Sequence, residues 1–98
     1  MVKQKETIFG EQVDKDLKEA FGPRVVIFNI QQKTRGGDPD RIVCIKGKFL
    51  ALELKTEEGH IDNLQLAKLV KVMHAGGLAF KTTPRTWPRI LKHLKDYF

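Results

Sequence analysis

The stretch DRIVCIKGKFLALELK, residues 40 to 55, constrains this chain most, because two apolar runs flank the dipeptide Lys46-Gly47. A glycine-containing tight turn between β-branched and aliphatic runs reads as a β-hairpin, with strands over DRIVCI and KFLALELK. Strand side chains alternate faces. Ile42, Cys44, Phe49 and Ala51 therefore share one face, and Val43, Ile45, Leu50, Leu52 and Leu54 the other. With both faces apolar, the hairpin is expected to be covered on both sides, with Cys44 buried in it.

The polar residues of the hairpin are the exceptions to explain. Glu53 and Lys55 point the same way, and Asp40 depends on the register. If Lys46-Gly47 form a two-residue loop, residues whose numbers sum to 93 lie opposite one another and Asp40 faces Glu53. With Gly47-Lys48 as the loop the sum is 95 and Asp40 faces Lys55. A three-residue loop would change the parity and send Asp40 to the other face. Carboxylates opposed at roughly 5 Å between Cβ atoms repel unless something compensates. A divalent cation would compensate, and carboxylate oxygens suit Mg²⁺ or Mn²⁺, which also take waters and phosphate oxygens. Lys55, one strand step away, is placed to orient a water or to stabilise charge developing on phosphorus. The trio suits phosphodiester hydrolysis. The plainer alternative is an aspartate after a proline turn and a same-face ion pair at a strand end.

Around the hairpin, apolar spacing from Glu6 to Phe21 predicts a first helix, stopped at Gly22-Pro23. RVVIFNI, residues 24 to 30, predicts a strand followed by the polar loop QQKTRGGDP. After TEEGHI, a helix is expected from Asp62 to about Ala75, with Leu66, Leu69, Val70 and Met73 as its apolar stripe and Gly76-Gly77 as its stop. LAFKT predicts a strand. A last helix begins at Thr86, with Trp87-Pro88 in its first turn and Ile90, Leu91, Leu94 and Tyr97 facing inward. The order α-β-β-β-α-β-α implies an α/β sandwich with a mixed sheet between helices, as a single domain over residues 1 to 98.

The chain carries 18 Lys+Arg against 12 Asp+Glu, a net charge of +6, which favours a polyanionic partner. Its single cysteine, Cys44, permits no internal disulfide. No segment is apolar and long enough to cross a bilayer and the N-terminus has no signal-like apolar core, so a soluble protein inside the cell, without a membrane partner, is expected. His60, His74 and His93 lack the paired spacing of a zinc site, and RGGDP lacks the Lys-Ser/Thr of a phosphate loop, so no nucleotide cofactor is implied. Lys33 and Arg35, in the loop before Asp40, are the favoured DNA-binding residues. Lys81, Arg85 and Arg89 are further basic candidates, and Trp87 reads as core rather than as a base-stacking platform.

Gly37-Asp38-Pro39-Asp40, then Glu53-Leu54-Lys55, then Gln65 in the following helix, then AGGLAF leading into a strand, resemble the PD-(D/E)XK nucleases, and more narrowly the VRR-NUC (virus-type replication-repair nuclease) family of stand-alone viral or bacterial type. The resemblance covers nearly the whole chain. It implies a restriction-endonuclease-like fold and a metal-dependent DNA endonuclease, using Mg²⁺ or Mn²⁺, that cuts four-way junctions or flaps in DNA replication, recombination or repair. Asp40 and Glu53 would bind the metal, the Leu54 backbone carbonyl would add a ligand, and Lys55 would assist catalysis. Gln65 would position the site or the DNA, although Asp62 with Gln65 also resembles a capping box. A further acid is expected on the first helix, where Glu11 is favoured over Glu6; its alternative is a solvated glutamate beside Lys15. The resemblance also implies a homodimer, in the cytoplasm of a bacterial cell or a phage-infected host. The rival readings are a catalytically silent DNA-binding subunit of the same fold and a small structural adaptor.

Overall fold

The computed structural model describes residues 5–30, 38–56 and 63–98. Helix α1 (Lys5–Phe21) leads through a 3₁₀ turn at Gly22–Arg24 into β1 (Val25–Asn29). The hairpin β2 (Arg41–Ile45) and β3 (Lys48–Leu54) follows, then α2 (Asn63–His74), β4 (Leu78–Thr82) and α3 (Trp87–Tyr97). The element order is the expected one. The four strands form one mixed sheet in the order β1-β2-β3-β4, antiparallel up to β3 and parallel between β3 and β4, across the α2 connection.

The hairpin turn is the two-residue Lys46-Gly47 form. Both residues have positive φ, 49° and 83°, the combination whose twist matches a right-handed hairpin. The resulting register pairs Ile45 with Lys48 and Arg41 with Leu52, a sum of 93 throughout. At the far end of α2, Gly76 takes φ 95° while Gly76 N–H donates to Met73 O and Gly77 N–H to Val72 O, a Schellman closure that ends the helix. Gly77 is also required sterically, since a Cβ there would stand 2.9 Å from Val72.

One face of the sheet carries the core. Val43, Ile45, Leu50, Leu52 and Leu54 pack against Phe9, Val13 and Leu17 of α1 and Trp87 and Leu94 of α3. The spacing 9, 13, 17 is one helical stripe, as the periodicity predicts.

The opposite face is only partly covered, which corrects the expectation of a hairpin shielded on both sides. Ala51 and Glu53 are buried, but Cys44 is exposed, and so are Phe28 (55%), Val26 (52%) and Phe49. The reason is width. A helix about 10 Å across spans about two strands at roughly 4.8 Å spacing. Two helices cover the core face, whereas α2 alone serves the other, where its contacts are with β3 and β4. The apolar stripe of α2 divides accordingly. Leu69 is buried beneath it, whereas Leu66, Val70 and Met73 face outward. Tyr97, expected to point inward, is exposed as well.

Candidate active site

The sheet positions the site through its register. Ile30 N–H donates to Asp40 O at 3.0 Å, which continues the β1–β2 ladder one step past Asn29–Arg41. The next step of the β2–β3 ladder after Arg41–Leu52 sets Asp40 across from Glu53, and the parallel register sets Lys81 beside Glu53 on β4. Asp40, Glu53 and Lys81 therefore form a row across three adjacent strands on one face, with Lys55 one strand step beyond Glu53 on that same face.

Glu53 is the buried member, 1% exposed, with its Oε1 also shut off from solvent. Its Oε2 accepts a short hydrogen bond from Gln65 Nε2 on α2 and lies 3.3 Å from Lys55 Nζ. A buried carboxylate needs such partners, because desolvation of the charge is otherwise costly. The side chain of Lys55 is 18% exposed, so its ammonium is near the carboxylate yet reachable from outside.

Asp40 closes the end of the ladder with its side chain: Oδ2 accepts the Leu54 N–H at 2.8 Å. Lys55 N–H, one residue on, donates to Thr82 O on β4. Successive peptide groups of a strand point to opposite sides, so the Leu54 N–H and C=O both turn toward Asp40. The Leu54 carbonyl therefore lies on the Asp40 side of β3.

Asp40, Glu53, Lys55 and Gln65 are thus brought together. Glu11 is placed differently: it is exposed on α1, in a shallow groove with Asp14, Lys15 and Lys18. The buried side of α1 packs on the sheet face opposite the carboxylates. Lys33, Arg35, Gly37, His60 and Asp62 lie outside the described residues, as does the side chain of Glu6. Lys81 was legible only as a basic residue near the last helix; its place beside Glu53 follows from the parallel register.

Among the described residues no group of three or more His, Cys, Asp or Glu side chains is arranged to hold a metal ion. The donor set present, two opposed carboxylates and a backbone carbonyl, fits Mg²⁺ or Mn²⁺, which keep several waters and bind substrate oxygens. Among the described residues no helix is long and apolar enough to cross a membrane.

Comparison with known proteins agrees with this fold. A solved structure described as a VRR_NUC domain matches 85% of this chain and 94% of its own length, with a TM-score of 0.63 and 23% sequence identity. The chain shares that domain's fold, a mixed sheet between helices of the restriction-endonuclease-like kind. No protein-family model and no curated protein matches the sequence.

Proposed function

We propose that the chain is a metal-dependent endodeoxyribonuclease of the VRR-NUC type that hydrolyses phosphodiester bonds in branched DNA. The observation that carries the reading is the pair Asp40 and Glu53, opposed across the hairpin with Lys55 held at 3.3 Å from Glu53 on the same face. The fold shared with a VRR_NUC domain and the net charge of +6 support a nuclease acting on a polyanion.

In this reading Asp40, Glu53 and the Leu54 carbonyl would hold Mg²⁺ or Mn²⁺. The bound cation would acidify a water and neutralise charge on the scissile phosphate. Lys55 presents its ammonium to the phosphoryl oxygens as negative charge develops there, and its ion pair with Glu53 fixes the direction of approach. Gln65 holds Glu53 in its rotamer. As the water oxygen bonds to phosphorus, one P–O ester bond breaks and the leaving oxygen takes up a proton. Lys81, Lys33 and Arg35 would hold flanking phosphates. We assign no catalytic role to Glu11, because its helix packs on the other face of the sheet.

A homodimer is part of the proposal. The open β1–β2 face, with Val26 and Phe28, and the outer stripe of α2, with Leu66, Val70 and Met73, lie on the same side of the sheet. A second copy related by a two-fold axis would cover both reciprocally and present two sites to two strands.

The test incubates the protein with labelled four-way junction, flap and linear duplex DNA in Mg²⁺, Mn²⁺ or EDTA, beside Asp40→Ala and Lys55→Ala. Cleavage of branched DNA that requires the metal and is lost in both variants is expected. Cleavage persisting in EDTA or in Asp40→Ala refutes the mechanism, and binding without cleavage under every condition identifies a silent DNA-binding subunit instead.

A further inference from the structure

Behind the proposed metal site, on the core face of the sheet, lies a charged residue that the chemistry above does not use. Arg41 follows Asp40 directly, so its side chain points to the opposite face, among Val43, Ile45 and Leu52. It is 8% exposed. Four of its five N–H groups donate: Nε to Asp14 Oδ1 at 2.9 Å and Nη2 to Asp14 Oδ2 at 3.3 Å make a two-pronged pair with α1. Nη1 donates to Asn29 Oδ1 at 2.9 Å, at the end of β1, and to the Asp40 carbonyl at 3.2 Å.

Helix α1 is shaped around this group. Gly10 sits inside the helix, where glycine costs about 1 kcal/mol relative to alanine. A Cβ on Gly10 would stand 2.5 Å from Arg41 Nη2. The glycine is what lets the guanidinium pass.

An ion pair with one buried and one half-buried partner is a weak source of stability, since desolvation offsets much of the attraction. What this one supplies is position. Asp40 stands just before β2, where the ladder ends, and its carbonyl receives two donors, Ile30 N–H and Arg41 Nη1. Those bonds fix the peptide from which the Asp40 carboxylate projects. An ångström of misplacement at a reacting centre can cost about a hundredfold in rate.

We propose that Arg41 is the positioning residue for Asp40, clamped from behind the sheet by Asp14 and Asn29 and admitted by Gly10. Asp14 on α1, a different residue from Glu11, thus acts on the site through Arg41, from the far side of the sheet. This role rests on the metal-dependent reading of Asp40 given above.

The test measures Mn²⁺ binding calorimetrically without DNA, for the wild type, Arg41→Lys, Asn29→Ala and Gly10→Ala, with Asp40→Asn as the reference for loss of the site. Circular dichroism and thermal melting report folding in parallel. Arg41→Lys keeps a buried cation for Asp14 but cannot span the four acceptor atoms on Asp14, Asn29 and Asp40, and Gly10→Ala keeps the arginine while displacing it. Both are expected to bind Mn²⁺ at least tenfold more weakly while remaining folded, with kcat lowered and KM for DNA within twofold. Gly10→Ala decides if Arg41→Lys fails to fold, and Asn29→Ala, outside the helix, decides if both do. Folded variants that bind Mn²⁺ like the wild type overturn the positioning role alone. A wild type that binds no Mn²⁺ overturns the nuclease reading, and the positioning role falls with it.

Discussion

Replacing Lys55 with methionine removes an ammonium while keeping much of the side chain's apolar bulk, so it isolates the electrostatic support of Glu53. The ion pair spans 3.3 Å, and Glu53 is buried. At an effective dielectric constant of about 20, the Coulomb attraction at that distance is about 5 kcal/mol. Lys55 keeps some solvent contact, which reduces this figure, and breaking a buried pair typically costs about 3–5 kcal/mol. We expect a loss of about 3 kcal/mol for Lys55→Met, since Glu53 loses its cation while remaining buried. For a domain of this size each kcal/mol shifts the melting temperature by about 4–8 °C, so the drop is about 12–24 °C at neutral pH. Adding Glu53→Gln removes the buried charge, and the double variant should recover about 2 kcal/mol of the loss while remaining inactive. Urea denaturation of the wild type, both single variants and the double variant closes the cycle. A Lys55→Met protein within about 1 kcal/mol of the wild type would mean that Glu53 does not carry a desolvated charge that Lys55 compensates. A double variant no more stable than Lys55→Met would mean the same.

The hairpin turn gives a second prediction. Gly47 has φ 83° with open space where a Cβ would go, so Gly47→Ala should lose about 1–2 kcal/mol from backbone strain alone, with cleavage per folded molecule unchanged. An unchanged denaturation midpoint would contradict it. Trp87 is buried and its Nε1 donates to Asp16 Oδ2 at 2.9 Å; Trp87→Phe should cost about 2 kcal/mol in urea denaturation, as expected for a hydrogen bond to a charged group. A loss under about 0.5 kcal/mol would mean that water replaces the indole N–H freely. At the surface, the Asp96 carboxyl is held below its ordinary value by the hydrogen bond from Lys92 and then by its charge. A carboxyl depressed on folding adds stability above its unfolded titration, and that contribution is lost as pH falls through the folded one. An NMR titration should show the Asp96 midpoint rising in Lys92→Ala, and an unmoved midpoint would contradict the assignment.

The grouping of the candidate site residues was legible where local chemistry decides it. Alternating apolar residues about Lys46-Gly47 specify a hairpin, and its parity alone determines whether Asp40 and Glu53 meet; the structure realises the register with sum 93. Gln65 could be read either as a cap or as a site residue, and its bond to Glu53 places it at the carboxylate. Coverage was not legible. Phe28 and Phe49 carry the apolar signature of buried strand residues, but whether a helix lies over them depends on how many helices reach that face, which periodicity does not encode. Two signals in the sequence mark Arg41: a strand position of core parity occupied by arginine, and a glycine in the middle of a helix. Each breaks a local rule, and the reason for both is the same guanidinium.

The central claim is that the carboxylates gathered by the hairpin hold a catalytic cation. Crystals grown with Mn²⁺ and measured at the manganese absorption edge test it directly. One anomalous peak or a close pair is expected within about 2.2 Å of a carboxylate oxygen of both Asp40 and Glu53, with the Leu54 carbonyl as a further ligand. An anomalous peak elsewhere on the molecule, or none beside well-ordered Asp40 and Glu53 at saturating Mn²⁺, would contradict it.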